Sequence, residues 1–203
     1  YMDECRRVLF PDLSRGIDVK PPDINLSDVG FSVVYDPGEP HDCNHGHIRF
    51  GLGAVKGVGE KAVAAIIERR DDEKGSGPFR SLHDFCERVP QGVANRSTIE
   101  ALIKCGAFDT LTGGAGGRAA LITARDDAIS AGGRVQSDRE SGQMNFFDAV
   151  ASDDVESEAA STEVMLPDVP PWSDVDQLRY EKEVLGFFVS RHPLDAHLSL
   201  IHI

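Results

Sequence analysis

Two short stretches carry residue types whose spacing suits a definite chemistry. In GLGAVKGVGEKAVAAIIERR, residues 51–70, Gly57 and Gly59 bracket Val58 between two apolar helical phrases. Glycines there permit a tight turn between helices, and Val58 is apolar where the tip of such a turn must pack inward. The backbone N–H groups of the turn then converge with the unpaired N–H groups that open the next helix near Glu60. That convergence is an anion cradle of a size that suits a phosphate. Lys56, Lys61 and Arg69 flank it as sources of positive charge, although each reads equally as ordinary surface charge. The second stretch is SGQMNFFDAV, residues 141–150, where Phe146 and Phe147 stand side by side in a run of otherwise linker-like composition.

With Leu52, Val55, Ala62 and Ile66 in register, the first stretch has the pattern of a helix-hairpin-helix, which grips the DNA backbone irrespective of base sequence. Ala62, Ile66 and Ile67 supply the small and large apolar positions that let the second helix pack on the first. A weaker second copy lies in TIEALIKCGAFDTL, where Gly106 ends one helix and Phe108 packs beneath it; the same phrase reads as an ordinary helix C-cap. HDCNHGH, with His41, Asp42, Cys43, His45 and His47, has the residue types of a metal site. Its spacing matches no common zinc pattern, so a solvated hairpin loop is the better reading and no metal ligand is assigned. Asp71, Asp72 and Glu73 form a charge run expected to face water.

The elements that must position these groups follow from periodicity. The fold class expected is mainly α: a helix-hairpin-helix helical domain, a small β element near the N-terminus, and an acidic linker before a C-terminal helix. Residues 16–50 mix prolines with GIDVKPPDINLS, FSVVYD and HIRFG, short strands around a loop from Pro37 to Gly46. From 51 to 134 the pattern is helical, in EKAVAAIIERR, SLHDFCERV, RSTIEALIKCG and GRAALITARDDAISAG, separated by Gly- and Pro-bearing breaks. Ser97 or Thr98 followed by Glu100 predicts a capped start, and Ser81 before Asp84 is a weaker signal of the same kind. Residues 148–170 are acidic and rich in Ser and Ala, which is linker composition, and DVDQLRYEKEVLGFF is a final helix.

Charge and composition limit the partners. The formal net charge of −13 is uneven: residues 1–48 net −5, residues 49–134 net +2, and residues 135–203 net −10. Only the middle third sits comfortably beside phosphates, and the acidic tail must be held away from DNA. The longest apolar runs fall far short of the roughly 18 to 20 residues that a bilayer requires, so a soluble, cytoplasmic protein with no membrane partner is expected. Cys5, Cys43, Cys86 and Cys105 are scattered without pairing motifs, as for reduced thiols. The opening phrase YMDECRRVLF is helix-like and has no preceding Met, as in a piece of a longer chain.

The phrases YMDECRR, KPPDIN, IRFGLGAVKGVGEKAVAAIIE, FRSLHDFCERV, LIKCGAFD and EKEVLGFFVSRHPLDAH occur in this order over nearly the whole chain. Together they resemble the alpha subunits of bacterial DNA polymerase III, the replicative C-family polymerases. The resemblance implies that residues 1–50 belong to the end of the fingers and 51–134 to a tandem helix-hairpin-helix domain. It implies further that 135–170 is a flexible acidic segment and that 171–197 leads toward an OB-fold lying beyond. The palm, whose aspartates hold two magnesium ions, lies upstream, so no catalytic residue and no cofactor falls on this chain. DNA contact would fall to Lys56, Gly57, Val58, Gly59 and Lys61.

The same resemblance gives the paired phenylalanines a role. Family members carry a short peptide after the hairpin region that docks into the sliding clamp: a Gln, two variable residues, then an apolar-aromatic pair. Here it falls on Gln143, Met144, Asn145, Phe146 and Phe147, with Phe where Leu or Met is more usual. Two large side chains entering a preformed pocket supply affinity, while Gln offers a donor and an acceptor to orient the peptide. The alternative is that both rings fold back onto the helical domain. Expected partners are therefore duplex DNA, the clamp and other replicase subunits. An error-prone alpha-type polymerase and a non-enzymatic helix-hairpin-helix module remain alternatives, the first being disfavoured by the Gln-led peptide. Residues 198–203, LSLIHI, change character abruptly and are expected to be a non-native tail resembling a translated transposon end.

Overall fold

Helix α1 (Glu60–Asp71) buries Ala62, Val63, Ile66 and Arg70, a stripe at three- and four-residue spacing that turns one face of the helix inward. The computed structural model to which it belongs describes residues 5, 16–42, 45–72, 77–141 and 165–190. The helices that follow are α2 (Leu82–Arg88), α3 (Arg96–Lys104), the single turn α4 (Asp109–Thr112), α5 (Arg118–Glu140) and α6 (Asp174–Leu185). Strands β1 (Val19–Lys20), β2 (Ser32–Val34) and β3 (His47–Arg49) precede them and form one sheet in the order β1-β3-β2. β3 runs parallel to β1 and antiparallel to β2, with Val33 opposite Ile48. The fold is mainly helical with a small β element, as the periodicity predicts.

The core is aromatic at its centre. Phe79, Phe85 and Phe108 meet edge to face in a chain, with centroids 5.1 and 5.2 Å apart. Ile99, Leu102 and Ile103 of α3 and Leu52, Val63 and Ile66 from the first hairpin close around them. A loop ties this core to the sheet. Asp23 accepts the N–H groups of Asn25 and Leu26 and, on its other oxygen, the Thr110 hydroxyl. Asn25 pairs both ways with the backbone of Phe79, and the buried Arg70 of α1 donates to the Ser27 carbonyl at 2.7 Å. The loop 21–27 that follows β1 is thus a joint to α1, to α4 and to the segment leading into α2.

Two helix boundaries differ from expectation. α3 starts at Arg96 with Asn95 as its cap, because the Asn95 side chain accepts the Thr98 N–H at 3.0 Å; Ser97 and Thr98 lie inside the helix. Ser81, the weaker signal, does cap α2 by accepting the Asp84 N–H. The helix that the glycines were expected to break near residue 132 instead continues to Glu140. Gly132 and Gly133 serve packing: a Cβ on Gly132 would stand 2.4 Å from the Cys86 carbonyl, and one on Gly133 would meet the Gln91 side chain. The two glycines let α5 lie close against α2.

Helix α6 is anchored by a buried charge network. The Arg118 guanidinium, 2% exposed, pairs bidentately with Asp109 at 2.8 and 2.6 Å and reaches Glu181 at 2.9 Å. Glu181, 1% exposed, also accepts the N–H groups of Val189 and Ser190 and the Ser190 hydroxyl. Burial alone would raise the Glu181 carboxyl; the hydrogen bonds from Ser190 and Arg118 outweigh it and hold the group below the ordinary glutamate value.

A carboxyl depressed in the folded state stabilises the fold above its unfolded pKa, and that contribution is lost as pH falls through the folded value. Glu181→Ala is expected to lose about 3 to 5 kcal/mol at neutral pH, since it leaves Arg118 partly unpaired. Urea titrations followed by circular dichroism between pH 7 and 3 check both: the variant should show a shallower loss of stability on acidification than the parent chain.

Candidate nucleic-acid interface

The first hairpin begins with a 3-10 turn, Leu52–Ala54, and passes through Val55–Gly59 into α1. Leu52, Val55 and Val58 point into the core, each at most 8% exposed, while Lys56, Gly57, Gly59, Glu60 and Lys61 face solvent. Gly57 has φ +87°, a left-handed conformation that a side chain resists. Its carbonyl accepts the Thr98 hydroxyl of α3 at 3.3 Å, and the Lys56 N–H donates to the Val184 carbonyl of α6 at 2.8 Å. Both neighbours hold the turn without covering its outer side.

That outer side is electrostatically unsatisfied. α1 has Gly59 at its N-cap and no side-chain cap; the Gly59 carbonyl takes the Ala62 and Val63 N–H groups, and the N–H groups of Gly59, Glu60 and Lys61 have no acceptor among the described residues. A Cβ on Gly59 would meet nothing within 4 Å. Three N–H groups at the positive end of a 12-residue helix thus open onto free space. Lys56 and Lys61 stand beside them without ion-pair partners among the described residues. Lys104, across a shallow cavity of about 270 Å³ next to the turn, is held by Glu100 and Glu183, each at 3.0 Å. Burial lowers its pKa, but the bonds from Glu183 and Glu100 prevail and raise it. Its charge is already neutralised, whereas those of Lys56 and Lys61 are not.

The turn between α2 and α3 is the opposite case. Asn95 caps α3, and the Gln136 amide of α5 donates to the Cys86 and Val89 carbonyls at 2.8 and 2.9 Å. Gln91 is tied to the Ile129 carbonyl. Side chains and a covering helix already use its backbone groups. Gly106, φ +85°, ends α3: the Gly106 and Ala107 N–H groups return to the Ile103 and Leu102 carbonyls. A Cβ there would lie 2.3 Å from the Arg118 guanidinium, so that turn is closed as well.

Lys56, Gly57, Val58, Gly59 and Lys61 therefore share one turn. Gln143, Met144, Phe146 and Phe147 lie outside the described residues, as does Cys43. Among the described residues the histidine-rich loop does not gather into one cluster: His41 stacks on Tyr35 and His45 pairs with Asp42, whereas His47 meets Asp36 and Glu39, whose ligand atoms with its own fall within 4.8 Å. His47 Nδ1 accepts the Asp18 N–H and Lys20 occupies Asp36, so in the neutral ring the proton sits on Nε2 toward the carboxylates. Asn95 and Gln136, which set the difference between the two turns, escaped the sequence reading, and Thr98 reads there as a cap rather than as a partner of the Gly57 carbonyl. Only Asn95, a good N-cap type one residue before the helix, carried a usable signal.

Residues 16–120 match the profile of the helix-hairpin-helix motif. The chain is 38% identical over 203 residues to the DNA polymerase III subunit alpha of Deinococcus radiodurans, covering 98% of this chain and 13% of that protein. With the same subunit of Thermus aquaticus the identity is 39% over 179 residues, 88% of this chain and 12% of the relative. With that of Escherichia coli it is 36% over 202 residues, 98% and 15%. The chain thus spans about an eighth of the length of the relatives it matches.

The geometry sets different costs at the two turns. Gly57→Ala forces a side chain into the left-handed region and is expected to lose about 1 to 2 kcal/mol. Asn95→Ala removes a cap at a cost of about 1 kcal/mol, while Gly59→Ala, at an extended φ of −77°, should change stability by less than either. Thermal melts of the three variants test the order.

Proposed function

The chain belongs to the helix-hairpin-helix family and is similar along nearly all its length to one segment of DNA polymerase III alpha subunits; from this we propose that it grips duplex DNA and attaches a replicative polymerase to its sliding clamp. The observation that supports the grip is the uncapped N-terminus of α1 at Gly59, flanked by Lys56 and Lys61. A backbone phosphate accepts from the N–H groups of Gly59, Glu60 and Lys61, and Lys56 and Lys61 add charge. Glu60, an acidic residue in the first turn of α1, offsets part of the positive charge at that helix end. No base edge is read, so the grip follows the duplex at any sequence. Nucleotidyl transfer and its magnesium ions belong to other parts of such a polymerase, and this segment supplies no catalytic group. Contact with other replicase subunits and a cytoplasmic setting form part of the same proposal.

The asymmetry of the two turns supports a single dominant phosphate contact. Binding should be weak, with no sequence preference, and should fall with salt at the shallow slope set by the few phosphates engaged. Replacing Gly57 and Gly59 together with Val should weaken it by blocking the close approach of backbone to phosphate. Gly59→Asp is the sharper test, because an aspartate there caps the helix with its own carboxylate. The thermal midpoint should hold or rise by the equivalent of a few tenths of a kcal/mol, while duplex affinity, read by fluorescence anisotropy, collapses. Undiminished binding by Gly59→Asp removes the turn from the account.

Clamp attachment is proposed for Gln143, Met144, Phe146 and Phe147 on their sequence pattern and the family resemblance. A peptide of residues 139–149 is expected to bind a bacterial sliding clamp alone, with micromolar affinity because ordering a free peptide costs conformational entropy. Phe147→Ala should cost about 2 kcal/mol or more and Gln143→Ala less, by calorimetry. Equal clamp affinity of the parent chain and its Phe146/Phe147 double-alanine variant overturns the assignment.

A further inference from the structure

We infer that the free face of the small sheet is a docking surface for an apolar segment of the same longer polypeptide, a proposal that rests on the polymerase reading above. Leu26, Val29, Phe31 and Val33 are 56%, 56%, 58% and 64% exposed, and among the described residues they make up most of the large apolar side chains left so open. They fall within eight consecutive positions rather than being scattered, as isolated surface apolar groups are.

The register explains why they form one surface. Val33 lies opposite Ile48, and two residues along, Phe31 packs edge to face on Phe50 with centroids 4.6 Å apart. Phe50 is 2% exposed, so the apolar face begins in the core and runs outward along the strands until it is uncovered. Tyr35 continues it on the same side, where a Cβ on Gly46 would touch both Tyr35 and Val33. β2 also forms the edge of the sheet among the described residues.

These side chains have no route inward. The Leu52 and Gly53 N–H groups donate to the Asp28 and Val29 carbonyls at 2.9 and 3.0 Å, and Arg70 holds Ser27. A Cβ on Gly51 would lie 2.4 Å from the Gly30 backbone, so the loop is pressed down as far as sterics allow. The surface is built, and it is apolar by construction.

Its surroundings select the occupant. Asp28 and Asp36 border it, paired with Arg70 and with Lys20, and residues 1–48 as a whole carry nine acidic against four basic groups. That field repels nucleic acid and anionic lipid alike. An apolar protein segment with neutral or basic flanks fits. The relatives are about seven times as long as this chain, of which they share 12–15% of their own length, so most of such a polypeptide is available to supply it.

Hydroxyl-radical footprinting of the full-length polypeptide and of the 203-residue chain tests the proposal, read at Leu26, Phe31 and Tyr35 by mass spectrometry. Labelling is expected to be at least fivefold lower in the full-length protein. Val33→Asp, at a side chain 64% exposed, should change the melting temperature of the 203-residue chain little and restore labelling in the full-length protein. Equal labelling of the two parent forms overturns the inference. Protection that grows with concentration in the short chain alone, with a dimer mass by sedimentation, also overturns it in favour of a second copy. Duplex binding by the short chain is measured separately, so failure of the DNA-grip reading leaves this result standing.

Discussion

Arg118 is the constraint on which the rest of the arrangement depends. A guanidinium removed from water is tolerable only when its donors are used, and here Asp109 takes two and Glu181 a third. Asp109 belongs to the turn after α3, Arg118 opens α5 nine positions on and Glu181 lies in α6, 63 positions further, so one charge fixes three elements. Gly106 is part of the same requirement, since any side chain there would occupy the guanidinium's place. With α6 fixed, the Val184 carbonyl is in position to hold the Lys56 N–H, and the shape of the first turn follows.

The turns that precede α1 and α3 show how similar local patterns acquire different chemistry. Each links two helical pieces around a buried apolar seam. In one, the N-cap is glycine and the helix dipole ends in solvent; in the other, it is asparagine and α5 covers the turn with Gln136. The difference in capping chemistry decides which end remains open to an anion. A helix that satisfies its own first turn gains stability and loses the vacancy, and the two turns divide these outcomes between them.

Much of this was legible in residue types and spacing. The packing positions Ala62 and Ile66 of α1, the glycines of the first turn and the two antiparallel strands all express short-range patterns that need no knowledge of distant contacts. What was not legible depended on partners far along the chain. Gly132 and Gly133 look like helix breakers until Cys86 and Gln91 stand against them. Thr98 looks like a cap until its hydroxyl is seen on the Gly57 carbonyl, 41 positions away. Arg118 and Glu181 look like surface charges, because nothing near either in sequence announces a buried pair. The exposed run from Leu26 to Val33 reads as a half-buried strand and gives no sign that one side is bare.

The 2.8 Å bond between the Lys56 N–H and the Val184 carbonyl has a mechanical meaning. It joins the turn to the end of α6, so a load along the backbone at Ser190 would have a direct line to the turn at Gly57–Gly59. Glu181 intercepts that line: its carboxylate grasps the Val189 and Ser190 N–H groups and is itself moored to Arg118 in the interior. A tug from downstream is therefore delivered to the core and spread over α4, α5 and α6 before it can distort Gly57. The clasp of Glu181 on Val189 and Ser190 thus acts as a strain relief for the first turn, much as a cable is clamped to its housing ahead of the connector.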